Sequence, residues 1–390
     1  LKFASFFIAV FFVLASVSAV RPMTSLFAKE LDASMIEIGI ITVCYSVTPL
    51  FLAVFAGRYI DQFGEKLPII AGSICMFISL ALPFYFPSIA TLYISMLLLG
   101  GGQLLAILAI QNGVTKSASN ETRDKAVGTL SLFTSTGLLF GPLIGGYVSE
   151  HFGFQTSYIL LAVIPIITII VSFFVAKTEK GASKGKQGKS ANVKELLLLP
   201  GLGRSIFVSM LILSSLDIYS VYFPLYGQSI GLSVSQIGWV LAVQGAASAL
   251  VRIIMPKLVE AYGRVTILWI FMGIGALAYG FIPFQDQFSI ILIVSFIIGA
   301  GLGITLPLTI ILSYNAAPPG RSGEVLGLRL ASNRLAQTIV PFLLAYVSSF
   351  VGLGIIFVIK SVLLLSGSLT ARGISDDVQE VEEDEREKAI

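Results

Sequence analysis

KTEKGASKGKQGKSANVKELLLLPGLGR, residues 177–204, is the longest interruption in an otherwise apolar chain. Its first part is rich in Gly, Ser and Lys and reads as a flexible linker. Its second part, Asn192–Leu199, has the pattern of a short interfacial helix. A membrane-spanning helix needs about 20 mostly apolar residues. Runs of that kind fall at 3–20, 37–57, 67–84, 89–111, 126–148 and 155–176 before the linker. Six more follow it, at 205–226, 236–256, 265–283, 288–313, 324–348 and 351–371. The reading is an all-α membrane protein with 12 transmembrane helices in two six-helix bundles. The bundles are residues 1–176 and 205–371, joined by the linker 177–204 and followed by an acidic tail, 372–390.

Composition points the same way. Of 390 residues, 56% are hydrophobic and only 12% charged, against about 25% in an ordinary soluble domain. Mean hydropathy is +0.91. There is too little polar surface to cover a soluble fold, so the rest must face lipid. A net charge of +3 gives no footprint for nucleic acid. Cys44 and Cys75 lie inside apolar runs and His151 is the one histidine, too few for a disulfide framework or a metal centre. No cofactor is expected. The run at 3–20 is followed by Arg21-Pro22 instead of a small-residue cleavage site, so it reads as a retained first span.

Lys and Arg in the loops set orientation. With a cytoplasmic N-terminus, 19 of the 25 basic residues fall inside and only Arg21 and Lys29 outside. Both termini are therefore expected in the cytoplasm.

The two bundles are related by a constant shift of 199 residues. Gly57, Asp61 and Gly64 fall on Pro256, Glu260 and Gly263; Gly100 and Gly102 on Gly299 and Gly301; Gly128 on Gly327; Pro142 on Pro341. A same-sense repeat implies an axis along the membrane normal, a cavity between the halves and rocking of one against the other.

Two motifs stand out. Between spans two and three lies Gly57-Arg58-Tyr59-Ile60-Asp61-Gln62-Phe63-Gly64-Glu65-Lys66. Gly57 can let helices approach, Asp61 can cap a helix or pair with an arginine, and Gly64 permits a tight turn. Span five contains Gly137-Leu138-Leu139-Phe140-Gly141-Pro142-Leu143-Ile144-Gly145-Gly146, with Gly137 and Gly141 on one face and Pro142 removing a backbone bond. The first stretch resembles the G-x-x-x-D-x-x-G-[RK]-[RK] loop of the major facilitator superfamily, with Glu65 where a basic residue is usual. The second is similar to the G-x-x-x-G-P-x-x-G-G motif of that family's drug–proton antiporter branch. The resemblance implies the twelve-helix fold of that family, a conformational latch built from Gly57, Arg58, Asp61, Gly64, Arg252 and Glu260, and efflux. The chain departs from the branch in two places: span four has no arginine near Gly100-Gly101-Gly102-Gln103, and span one as drawn has no acidic residue.

Charges inside a membrane are costly and are functional candidates by default. They are Asp217 in span seven, Arg252 in span eight, Arg329 and Arg334 in span eleven, and Lys360 in span twelve. Asp217 is the one deep carboxylate and the leading candidate for a protonation switch; a structural ion pair with Arg334 or Lys360 is the competing reading. Arg252 is placed to pair with Glu260 or snorkel, and Arg329 to snorkel. Asn333 and Gln337 share a helix face bordered by Arg334. Tyr219, Tyr222 and Tyr226 share a face of span seven, and Gln103 and Gln244 add amides. Such groups suit a cavity for mixed apolar and polar ligands, and equally suit helix packing.

The expectation is a secondary transporter, not an enzyme, exporting a small molecule against protons as a monomer in a prokaryotic cell membrane. A symporter or uniporter for a small organic anion is the alternative, suggested by Arg334. A polytopic membrane enzyme or sensor is the remote one, given one histidine and no nucleotide-binding loop.

Overall fold

In lipid a backbone amide has no water to bond, so each segment must satisfy its own hydrogen bonds as a helix. The computed structural model describes residues 3–117, 123–175, 201–317 and 322–374. Most of the linker, the helix expected at Asn192–Leu199 and the acidic tail lie outside the described residues, as do the side chains of Arg58 and Asp61. Among the described residues, twelve helices are long and apolar enough to cross a membrane. In chain order they are α1 (Ala4–Glu30), α2 (Met35–Phe63), α3 (Lys66–Tyr85), α4 (Ile89–Ser117), α5 (Arg123–Phe152) and α6 (Phe154–Ser172, with a one-residue turn at Ala162). Then come α7 (Leu202–Ser229), α8 (Val234–Tyr262), α9 (Arg264–Phe284, closing in a 3-10 turn), α10 (Phe288–Asn315), α11 (Ser322–Val351) and α12 (Gly354–Ala371).

The helices outlast several of the apolar runs. The largest correction is α1, expected to stop at residue 20 and in fact 27 residues long. At 1.5 Å per residue that is about 40 Å, more than the hydrocarbon thickness. Pro22 does not end it. Proline loses one amide bond, and the helix beyond it is held by packing: Met23–Ala28 are all buried. Arg21 therefore lies nine residues inside the helix end instead of on the surface. The N-terminal spans thus contain a charge after all.

The described residues pack as two compact units, which do not divide along the linker. The first gathers those of Leu1–Ser183 with Ile218–Ala246 and Thr338–Leu353. The second gathers those of Lys184–Asp217, Ala247–Gln337 and Gly354–Ile390. Large apolar side chains such as Phe51, Phe55, Phe174, Leu277 and Ile293 are exposed, the pattern of surfaces that face lipid.

Within each unit, small residues let backbones touch, and they do so at positions related by the sequence repeat. A Cβ added to Gly102 would lie 2.5 Å from the Gly72 carbonyl oxygen, where α4 crosses α3. Gly301, 199 residues on, meets the Phe271 carbonyl in the same way, where α10 crosses α9. The turns repeat too: Gly64 and Gly263 end α2 and α8 at φ 73° and 78°, where a side chain would be strained. Gly57 behaves differently from its expected role, because a Cβ there meets nothing within 4 Å. Gly102→Ala is therefore expected to destabilise the protein by about 1–3 kcal/mol through overpacking. Gly57→Ala should be neutral or slightly stabilising through helix propensity. Thermal unfolding of the two purified variants in detergent checks the contrast; equal melting temperatures would contradict it.

Candidate functional site

Two deep charges of the second unit, Asp217 and Lys360, lie on α7 and α12. Asp217, near the middle of α7, is buried, and Lys360 of α12 is fully buried. Lys360 Nζ donates to Ser214 Oγ at 2.9 Å, one turn before Asp217, and the Asp217 carboxylate acts on the ammonium by Coulomb attraction. Ser214 and Ser215 bond back to the Leu211 carbonyl, which holds their hydroxyls against α7. Tyr279 of α9 donates to the Ser215 carbonyl, fixing this stretch from another side.

A second polar cluster lies one to three turns away along α7. Asn333 Nδ2 donates to Ser209 Oγ at 3.0 Å, and Arg329 Nη2 donates to Thr309 Oγ1 at 3.0 Å. Ser205 and Ser313 complete it, 2.8 Å apart. Arg329 is 4% exposed, so it does not snorkel as expected. It lies inward instead, where the Thr309 hydroxyl of α10 receives it. Arg334 is half-buried and donates to Gln337 Oε1 at 3.1 Å; Asn333 and Gln337, on the predicted shared face, are both buried. Arg252 does not bond Glu260 either. Its Nε donates to the Gly303 carbonyl of α10 at 3.1 Å, and Glu260 is exposed. A Cβ on Gly303 would collide with Ser248, so α8 and α10 approach closely here, and Pro307 leaves the Gly303 carbonyl without its helical amide.

The first unit holds a polar site that the sequence reading missed. Arg21 stacks on the Tyr45 ring, 4.2 Å from its centroid, and Tyr45 OH donates to Gln103 Oε1. Thr24, Ser25 and Thr42 line the same small cavity. Gln103 was expected in a binding cavity; Arg21 was assigned to a loop because Arg-Pro looks like a helix end. Residues 23–28, Met-Thr-Ser-Leu-Phe-Ala, interrupt the apolar pattern with Thr24 and Ser25, so hydropathy gave no clear signal that the helix continues. Tyr219 stacks on Phe223 and is fully buried, and Tyr222 donates to the Pro341 carbonyl at 2.8 Å. Tyr226 is also buried, and Gln244 is half-buried.

The glycine-proline motif divides its faces between two neighbours. Gly137, Gly141 and Gly145 abut α1 at Phe11, Ala15 and Ala19, and Ser18 Oγ donates to the Gly137 carbonyl at 3.1 Å. Gly146 and the Pro142 carbonyl instead meet Gly238 of α8. Gly39 of α2, 199 residues before Gly238, meets Ala345 and Phe342 of α11 in the same manner. At the other end of this unit, Glu65 is buried. It bonds Asn112 at 3.2 Å and pairs with Lys116 at 3.4 Å, which explains why an acid replaces a base in that loop. Lys66 donates to the Phe173 carbonyl at the end of α6. Gly64 supplies the turn between them.

The sequence profile described as the Major Facilitator Superfamily matches residues 6–235 and 205–389. "Multidrug resistance protein 2" of Bacillus subtilis (strain 168) is 24% identical over 376 residues, covering 90% of this chain and 93% of that protein. "Multidrug resistance protein MdtG" of Dickeya zeae (strain Ech586) is 28% identical over 376 residues, covering 90% and 88%. Among solved structures, a variant of the nucleoside transporter NupG superposes with a TM-score of 0.81 at 12% identity, covering 96% of this chain and all of that one. At that identity the likeness is one of fold.

Asp217 and Lys360 are opposite charges buried in one unit, and removing either leaves the other with less compensation. Asp217→Asn and Lys360→Met should each cost about 3 kcal/mol of stability. The double variant should cost less than the sum by about 1 kcal/mol or more. Unfolding in detergent measures the cycle, and simple additivity would dissolve the pair.

Proposed function

This chain belongs to the major facilitator superfamily, and from that premise we propose that it exports a small molecule in exchange for protons. It is a multi-pass membrane protein of a transporter family. The observation that carries the coupling reading is the buried Asp217 beside the buried Lys360. A proton that neutralises Asp217 removes the attraction holding the Lys360 ammonium, and an uncompensated cation in a low-dielectric core favours a different packing. Proton loading then biases which of two conformations is populated, the requirement for any coupled carrier. Export is supported by the names of the two multidrug resistance relatives and by the intact glycine-proline motif from Gly137 to Gly146.

The moving bodies in this reading are the two six-helix halves, residues 1–176 and 205–371. The latch residues Gly57, Arg58, Asp61 and Gly64, with Arg252 and Glu260, sit at the end that carries the linker. That end faces the cytoplasm, with both termini, on the strength of the Lys and Arg asymmetry. The protein acts as a monomer in a prokaryotic cell membrane.

A second reading is carriage of a small organic anion by symport or uniport. It is favoured by the deep charges: Arg21, Arg329, Arg334 and Lys360 against the single Asp217.

Proteoliposomes loaded with a fluorescent hydrophobic cation test the first reading. An imposed pH gradient should drive dye movement opposite to the proton. Asp217→Asn should lower gradient-driven flux at least about tenfold while leaving dye exchange at zero gradient. Flux that ignores the gradient would end the proton-exchange reading, and flux of an organic anion down the same direction as the proton would establish the second. Reporter fusions to either terminus should register as cytoplasmic; a signal from the far side would reverse the orientation.

A further inference from the structure

Both α2 and α8 begin with a reciprocal cap at the end of the bundle away from the termini. Ser34 accepts from the Glu37 amide while Glu37 accepts from the Ser34 amide. Ser233 and Gln236, 199 residues on, do the same, with Gln236 Oε1 accepting from the Ser233 amide at 2.9 Å. Each of these helices then passes a partner at a glycine: Gly39 against Ala345, and Gly238 against Gly146. The closure is thus built twice, once from α2 and α11 and once from α8 and α5.

One copy has an extra part. Glu150, in the last turn of α5, accepts a hydrogen bond from the Ser235 backbone amide at 2.6 Å. The carboxylate sits on the first turn of α8, where free amides and the helix dipole favour negative charge. In the other copy the residue 199 positions on is Ser349, whose hydroxyl turns back to the Tyr346 carbonyl. The charge is therefore present on one side of a two-sided closure.

We propose that Glu150 is a one-sided latch of the transport cycle, a positioning residue whose charge holds α8 against α5 at the end away from the termini. Gly146 and Gly238 supply the fit, which is insensitive to charge. Glu150 supplies a charge-assisted bond that breaks as a unit when the two helices part. The inference rests on the alternating-access reading above.

Spin labels at Phe152→Cys on α5 and Ser229→Cys on the α7–α8 hairpin, with Cys44→Ala and Cys75→Ala, read the separation in lipid. Glu150→Gln and Glu150→Ala are expected to lower the short-distance population about three- to tenfold relative to the long one. Adding Ser349→Glu to the Glu150→Gln protein places a carboxylate at the start of α2 and should restore part of the short-distance population. Unchanged distributions in the Glu150 variants overturn the latch, as does a loss of short distances that Ser349→Glu leaves untouched. Transport in the same proteoliposomes is scored separately. A Glu150-dependent distance shift without gradient-driven transport counts against the transport reading alone.

Discussion

The bundle depends on backbone-to-backbone contact at a few glycines. Between helices in lipid there is little hydrophobic drive, because the acyl chains are as apolar as leucine. What remains is close packing, and close packing needs residues without side chains at the crossings. Gly72 with Gly102, Gly301 with Phe271, Gly137, Gly141 and Gly145 with α1, and Gly146 with Gly238 are those points. Each brings a carbonyl or a Cα against the neighbouring helix, so each also fixes the rotation of the helix about its axis. Side chains elsewhere on the helix face their partners or lipid as a consequence.

That rotation decides which charges meet. Lys360 and Asp217 lie on helices separated by more than a hundred residues of chain, yet both end in the second unit's interior with Ser214 between them. Arg329 is directed at Thr309, and Arg252 at the Gly303 carbonyl, whose helical partner four residues on is Pro307 and has no amide to offer. The serines and threonines of α7 and α10 receive these cations with neutral oxygen. A neutral acceptor keeps a cation in place without cancelling its charge, so the charge stays available to an anion or to a carboxylate in another conformation.

The repeat is kept where packing is at stake and broken where chemistry is. The turn glycines Gly64 and Gly263, the crossing glycines Gly102 with Gly301 and Gly39 with Gly238, and the caps at Ser34 and Ser233 agree between the halves. Glu150 against Ser349, Glu65 against Arg264, and Asp217 against Ser18 do not.

The number and order of the helices were legible in the chain, since a run of about 20 apolar residues has no other stable form in lipid. So were the repeat, the turn at Gly64 and the buried face of Asn333 and Gln337. Helix ends were less legible, because Pro22 and Arg21 break the apolar pattern without breaking a helix whose next turn is buried by its neighbours. Partners were least legible. Hydropathy reports how deep a charge lies, not the angle at which it leaves the helix. Arg329 was placed to snorkel and is buried, a Cβ at Gly57 would meet no neighbouring helix where a crossing was expected, and Arg252, placed to pair with Glu260 or snorkel, bonds a carbonyl. The sequence by itself determined a twelve-helix membrane protein made of two related halves, because lipid forces that choice segment by segment. Only the tertiary structure decided that Lys360 lies with Asp217, Arg21 with Tyr45 and Glu150 with the start of α8, because those meetings follow from how helices far apart in the chain are rotated where their backbones touch.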